Sequence, residues 1–203
     1  MTKKSGSIDA IIFDFGRVIQ RGINGDSFLW AMYGIGRDLA RSVGRKYWQD
    51  FGRGKISESE YCLNIFKELY IDDSPQWFIN CCRGANHLEM EGTGEIIKRL
   101  KAQKICLALL TNHTKEWLEE AKLTFKLEEI FQVIVASCYC GYMKPEPEIY
   151  QIMLKKLGTN PSRTIMIDDK ESNLKPARAL GMQTILFESA EKLEKELELL
   201  HIL

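Results

Sequence analysis

Residues 9–19 read DAIIFDFGRVI, and this stretch decides the fold. Ala10, Ile11, Ile12 and Phe13 form a short continuous apolar run that ends abruptly at Asp14. The run lacks the polar alternation of a half-exposed strand and is too short for an amphipathic helix. It therefore predicts a strand over residues 9–14, buried on both faces. Similar runs at Ile105–Leu110, Val133–Ala136, Thr164–Ile167 and Thr184–Phe187 predict four more. Helical patterns separate them at Gly94–Lys101, Thr114–Phe125, Glu146–Leu157 (with Gly158 as the closing residue), Glu171–Leu180 and Glu191–Leu200. Strands alternating with helices predict the α/β class: a Rossmann-like parallel sheet with helices on both faces.

One long interruption follows the first strand. After a glycine-containing loop from Gly16 to about Asp26, no strand pattern is visible up to about residue 85. Phe28, Leu29, Met32 and Tyr33 have helical spacing. Ser57 and Glu60 form a capping box ahead of an apolar face made by Tyr61, Cys62, Ile65, Phe66 and Leu69. Ser74-Pro75 opens another helix, with Pro75 at its tolerated first position. This predicts a helical cap over residues 21–93, inserted into a core domain formed by residues 1–20 and 94–203. Trp30, Trp48 and Trp77, at helical spacings within the cap, are expected to pack in its core.

Composition narrows the function. The 203 residues carry 28 Lys+Arg and 28 Asp+Glu, a net charge of +0, with 45% hydrophobic and 28% charged residues. These values exclude a basic nucleic-acid footprint, disorder and a coiled coil. The longest apolar runs are far short of a membrane span. The N-terminal segment does not read as a secretory signal, because Asp14 breaks its apolar stretch. A cytoplasmic protein with six reduced cysteines is expected, without nucleic-acid or membrane partners. Neither Cys81-Cys82 nor the pair at Cys138 and Cys140 has zinc-ligand spacing. Oligomeric state is left open.

Ligands of open α/β sheets bind beyond the carboxyl ends of the strands. There the sequence places Asp14, then Thr111 and Asn112, then Lys144 in a loop, then Asp168 and Asp169. Each alone reads as a cap, a turn or a helix start. Together they describe a rim able to hold Mg²⁺ between carboxylates and a phosphate against Lys and Thr, since hard oxygen ligands suit Mg²⁺.

IIFDFGRVI (11–19), LLTN (109–112), GYMKPEPEIY (141–150) and TIMIDDKESN (164–173) resemble the four motifs of the haloacid dehalogenase superfamily of hydrolases. Gly16, two residues after Asp14, and the GKISESEY helix start (54–61) are similar to a subgroup of bacterial sugar-phosphate phosphatases of the glucose-1-phosphatase kind. The resemblance implies a Mg²⁺-dependent phosphatase acting on a small phosphorylated metabolite, with Asp14 as nucleophile. It implies metal ligation by Asp14, the Gly16 carbonyl and Asp168, with Asp169 close by. Thr111 and Asn112 would bind the phosphoryl oxygens, Lys144 would neutralise charge and Asn173 would orient the metal or lysine region. Arg17 reads as a solvated loop cation or a substrate contact, and His113 as a helix start or an exposed surface residue, a proton carrier or a substrate contact.

Most phosphatases of this superfamily carry an Asp where this chain has Gly16. General acid–base help is worth about 10²–10⁴-fold. Either the substrate has a good leaving group, or His113 or an ordered water moves the proton, or only binding is kept. A carbon–halogen hydrolase is a further alternative, disfavoured by the Asp168-Asp169 pair.

Overall fold

The structure, a computed structural model, describes residues 8–22, 25–85, 87–103 and 105–203. Residues 1–7, on which the reading of the N-terminus partly rests, lie outside these. Five strands, β1 (Ala10–Phe13), β2 (Cys106–Thr111), β3 (Val133–Ala136), β4 (Thr164–Asp168) and β5 (Gln183–Leu186), form one parallel sheet in the order β3-β2-β1-β4-β5. The first strand is central: Ile12 lies opposite Ala108 on one side and Met166 on the other. Its four residues are all buried, as the unbroken apolar run requires.

Eleven α-helices are described. Between β1 and β2 lie α1 (Gly25–Tyr33), α2 (Arg37–Gly52), α3 (Glu58–Glu68), α4 (Gln76–Ala85) and α5 (Thr93–Ala102). Next come α6 (Lys115–Thr124) and α7 (Leu127–Ile130), then, beyond β3, α8 (Ser137–Cys140) and α9 (Pro147–Leu157). The last two, α10 (Glu171–Ala179) and α11 (Ala190–Leu199), flank β5.

Side chains alternate across a strand, so each strand feeds both faces of the sheet. Ile11, Phe13, Leu107, Leu109 and Ile167 pack toward α5, α6 and α11 through Leu100, Leu118 and Leu197. Ile12, Ala108, Leu110 and Met166 pack toward α9 and α10 through Tyr150, Met153 and Leu174. The helices α1–α4 gather around a separate apolar cluster that includes Leu29, Val43, Ile65, Phe66 and Phe78. The chain reaches and leaves this helical layer along two paired segments. The Arg21 amide donates to the Leu88 carbonyl and the Met90 amide to the Ile19 carbonyl, both at 2.7 Å. The α/β sheet with a helical layer thus matches the expected class.

Local signals hold at most boundaries. Ser57 and Glu60 form the capping box reciprocally, and Gly158 closes α9 in the left-handed conformation. Pro75 stands just ahead of α4. Two tryptophans correct the sequence reading: Trp30 is 52% exposed and Trp77 40% exposed. Each neighbours the residue that faces inward, Leu29 and Phe78 respectively, and so points outward. Trp30 lies under the Arg37 guanidinium instead of in a core. Trp48 is half-buried in an aromatic group with Phe51, Tyr61 and Trp117. No helix among the described residues is long and apolar enough to cross a membrane.

Candidate active site

Asp14 leaves the central strand with its amide bonded to the Ile167 carbonyl at 2.9 Å, which fixes it beside β4. Its carboxylate accepts from the Phe15 amide at 2.6 Å and lies 2.7 Å from Lys144 Nζ. The same ammonium is 2.6 Å from Asp168 Oδ2. Lys144 is therefore buried between two carboxylates. Burial pulls its pKa down, but Asp14 and Asp168 outweigh this and the net shift is upward. Asp14 moves the other way from an ordinary carboxyl. Burial raises its pKa to about 6, against the pull of Lys144 and with a further push from Asp168.

Asp168 is fully buried at the end of β4. Besides Lys144, its carboxylate accepts from the Lys170 amide at 2.9 Å and from Asn173 Nδ2 at 2.8 Å. Asn173 is in turn located by the Tyr150 hydroxyl, which donates to its carbonyl at 2.6 Å. Asp169 is half-buried, and its Oδ1 is buried without a hydrogen-bond partner. Burial raises its pKa, with Lys170 pulling down and Asp168 pushing up. One oxygen from each of Asp14, Asp168 and Asp169 lies within 4.8 Å of the others. Three carboxylates at one point, with an orphaned oxygen among them, are a donor set for a hard divalent cation.

The remaining expected residues converge on the same end of the sheet. Asn112 braces the Lys144 loop in both directions: Nδ2 donates to the Lys144 carbonyl at 2.8 Å, and Oδ1 accepts from its amide at 2.7 Å. His113 is buried, and its Nδ1 accepts from the Thr114 amide at 3.0 Å. With Nδ1 accepting, the neutral ring carries its proton on Nε2. Burial lowers its pKa to about 4, so the ring is uncharged near neutral pH. Arg17 is exposed in a left-handed turn, with its amide bonded to the Gln20 carbonyl.

A cavity of about 680 Å³ opens above these groups. Asp14, Gly16, Arg17, Thr111, Asn112 and His113 line its floor, joined by Lys144 and Asn173, while α1–α4 supply the opposite wall. Neither Asp168 nor Asp169 lines it, Asp168 being covered by Lys144 and Asn173. The sequence marks no site role for Asp26, Arg41 or Tyr61 in the far wall, nor for Ser137, whose hydroxyl ties the His113 amide to the Gly52 carbonyl. Only tertiary proximity gives these residues meaning, although Lys170, next to the paired aspartates, was within reach of the motif.

A model of the haloacid dehalogenase-like hydrolases matches residues 63–187. The chain belongs to this family. It is 31% identical to flavin mononucleotide hydrolase 1 of Arabidopsis thaliana over 152 residues, 74% of this chain and 60% of that protein. It is 27% identical to D-ribitol-5-phosphate phosphatase of Bacteroides thetaiotaomicron over 206 residues, 94% of this chain and 97% of that one. A haloacid dehalogenase family enzyme from the same bacterium, solved with magnesium and inorganic phosphate, superposes with a TM-score of 0.71 at 22% identity, covering 90% of this chain and 96% of that one. The chain spans from 10% to 60% of the length of several other curated relatives, the flavin mononucleotide hydrolase included.

Proposed function

We propose that this family member is a Mg²⁺-dependent phosphatase of a small phosphomonoester, working through an aspartyl-phosphate at Asp14. The carboxylate cluster of Asp14, Asp168 and Asp169 carries this reading. The orphaned Asp169 oxygen fits a cation, and three carboxylates favour metal-assisted phosphoryl transfer over the carbon–halogen alternative. Asp14, the Gly16 carbonyl and Asp168 would hold Mg²⁺, with Asp169 beside them. Mg²⁺, when bound, supplies positive charge that shields the phosphate dianion from the attacking carboxylate.

An Asp14 oxygen attacks phosphorus, the bond from phosphorus to the ester oxygen breaks, and the alkoxide leaves to take a proton from water. Water then hydrolyses the acyl phosphate. Thr111 and the Asn112 amide hydrogen-bond the phosphoryl oxygens, and Lys144 offsets the charge gathering on Asp14 and the phosphoryl group. Asn173 positions Asp168. Residues 21–93 act as the cap that closes the cavity. His113, uncharged near neutral pH, offers its Nε2–H as a hydrogen-bond donor to substrate and lacks the imidazolium proton that a general acid would transfer. With Gly16 in place of an acid, the favoured esters have weakly basic leaving groups, such as the anomeric phosphate of a sugar or an aryl phosphate. The sugar arm draws support from the glucose-1-phosphatase-like subgroup features.

Turnover of a phosphate-ester panel with added Mg²⁺ tests the proposal. Activity should vanish in EDTA and in Asp14→Asn. Full activity in either condition would refute the chemistry, and a wild type that binds phosphate without turning over any ester would mark a binding protein.

A further inference from the structure

The cavity over Asp14 has two unlike sides. Its floor is the polar end of the sheet. Its opposite wall carries the half-buried aromatic side chains of Trp48 of α2, Tyr61 of α3 and Trp117 of α6 beside Arg41 and Arg45 of α2, while Leu29 of α1, Ile65 of α3 and Phe78 of α4 reach it from the apolar cluster of the helical layer. Tyr61 with Ile65, and Phe78 with Cys82, are spaced four apart, so α3 and α4 each turn one apolar face to the cavity. On α2 the same face carries Gly44 one turn before Trp48. A glycine inside a helix is unfavourable by roughly 0.5–1 kcal/mol relative to Ala. Here it lets the Tyr61 hydroxyl pack against the backbone: a Cβ at Gly44 would stand 3.4 Å from that hydroxyl.

Four hydrogen-bonding side chains of this wall are already engaged. The Tyr61 hydroxyl points to the Gly44 carbonyl at 3.4 Å, Trp117 Nε1 donates to Glu58, and Asp26 is paired with Arg41 at 3.0 Å. Arg45, exposed, adds one more cation to the lining. A polyol seated here would turn several hydroxyls toward carbon, and each hydroxyl that gave up water without a new partner would weaken binding. A ring or hydrocarbon body would instead cover the wall, and the aromatic side chains offer it faces and edges. The volume leaves space for such a body beside a phosphate.

We propose that the alcohol of the substrate is aromatic or otherwise apolar and seats against the α1–α4 wall, with its phosphate at Asp14. This rests on the phosphatase reading of the floor. It sets an apolar alcohol in place of the sugar as the body of the substrate.

The test compares esters of one leaving-group class, all primary alkyl: 3-phenylpropyl phosphate against glycerol 3-phosphate and ribitol 5-phosphate, with the full chain at saturating Mg²⁺. The aromatic ester should show kcat/KM at least tenfold higher, mainly through KM. Gly44→Leu, which fills the wall, should erase most of that advantage while the variant still unfolds cooperatively. Separately, 3-phenylpropan-1-ol should change the tryptophan fluorescence of wild type, through Trp48 and Trp117, and do so more weakly in Gly44→Leu. Equal kcat/KM values, or a preference for the polyol esters, would overturn the inference. Failure to turn over any ester, acetyl phosphate included, would refute the phosphatase reading instead. The alcohol titration would then decide the wall alone: a fluorescence change supports it, and none overturns it.

Discussion

Gly16 sets how the leaving group departs in the proposed reaction. Without a carboxylic acid there, the alkoxide gains little proton help, and the penalty grows with its basicity. Aryl and sugar 1-phosphates should therefore turn over faster than primary-alkyl esters once binding differences are removed. A Cβ built at Gly16 meets no atom within 4 Å, and the residue is not in the left-handed region, so the site has room for a side chain. Gly16→Asp should raise kcat for glycerol 3-phosphate by about 10-fold or more and flatten the dependence on leaving-group pKa, within the usual range of acid–base help. Measuring kcat across a leaving-group series for both proteins checks this. A wild-type series that is already flat would assign the proton to an ordered water, since His113 stays uncharged with a pKa of about 4.

At the scale of elements, α2 and α8 meet in a close seam between the helical layer and the sheet. Gly54, just beyond α2, is left-handed, and a Cβ there would stand 2.5 Å from the Cys138 carbonyl oxygen. Around it, Arg53 bonds the Gly141 carbonyl and Glu146, and Ser137 bonds the Gly52 carbonyl. Gly54→Ala should cost about 2 kcal/mol or more from the left-handed strain and the clash together. That lowers Tm by roughly 4–8 °C in a chain of this size. Gly94→Ala, in an open position inside α5, should instead gain about 0.5–1 kcal/mol. Thermal melts of the two variants are the check, and equal shifts would mean that the seam yields. The strands were legible in the sequence because unbroken apolar runs have few other uses. Helix α2 was not, because its inward face is shared between a thin core contact (Ala40, Val43, Phe51) and the cavity (Gly44, Trp48), which leaves no clear apolar stripe. Trp30 and Trp77 misled for a related reason: spacing finds a helix but not which of two adjacent large residues faces in.

For the whole molecule, the candidate site was legible where chain geometry alone sets it. Asp14, Thr111 and Asp168 end or follow strands of a parallel sheet, and the sheet brings strand ends together. What the sequence could not show is the set of bonds between loops: Asn112 holding the Lys144 backbone, and Lys144 held between two carboxylates. Those buried groups tie site chemistry to global stability, with opposite signs. His113 has a folded pKa of about 4 against 6.5 when unfolded, so its contribution is complete above pH 6.5 and lost as pH falls toward 4. That loss amounts to about 3 kcal/mol. Asp14 has a folded pKa of about 6 against 3.8, so it contributes below pH 3.8 and loses that contribution as pH rises through 6, again by about 3 kcal/mol. In EDTA the two terms oppose each other between pH 6.5 and 4. Asp14→Asn removes one of them and should lose about 2 kcal/mol more than wild type over that interval. His113→Gln removes the other and should gain stability on acidification relative to wild type. Urea unfolding of the three proteins at pH 6.5, 5 and 4 measures the slopes, and three parallel profiles would show that neither group carries its proton differently in the folded chain.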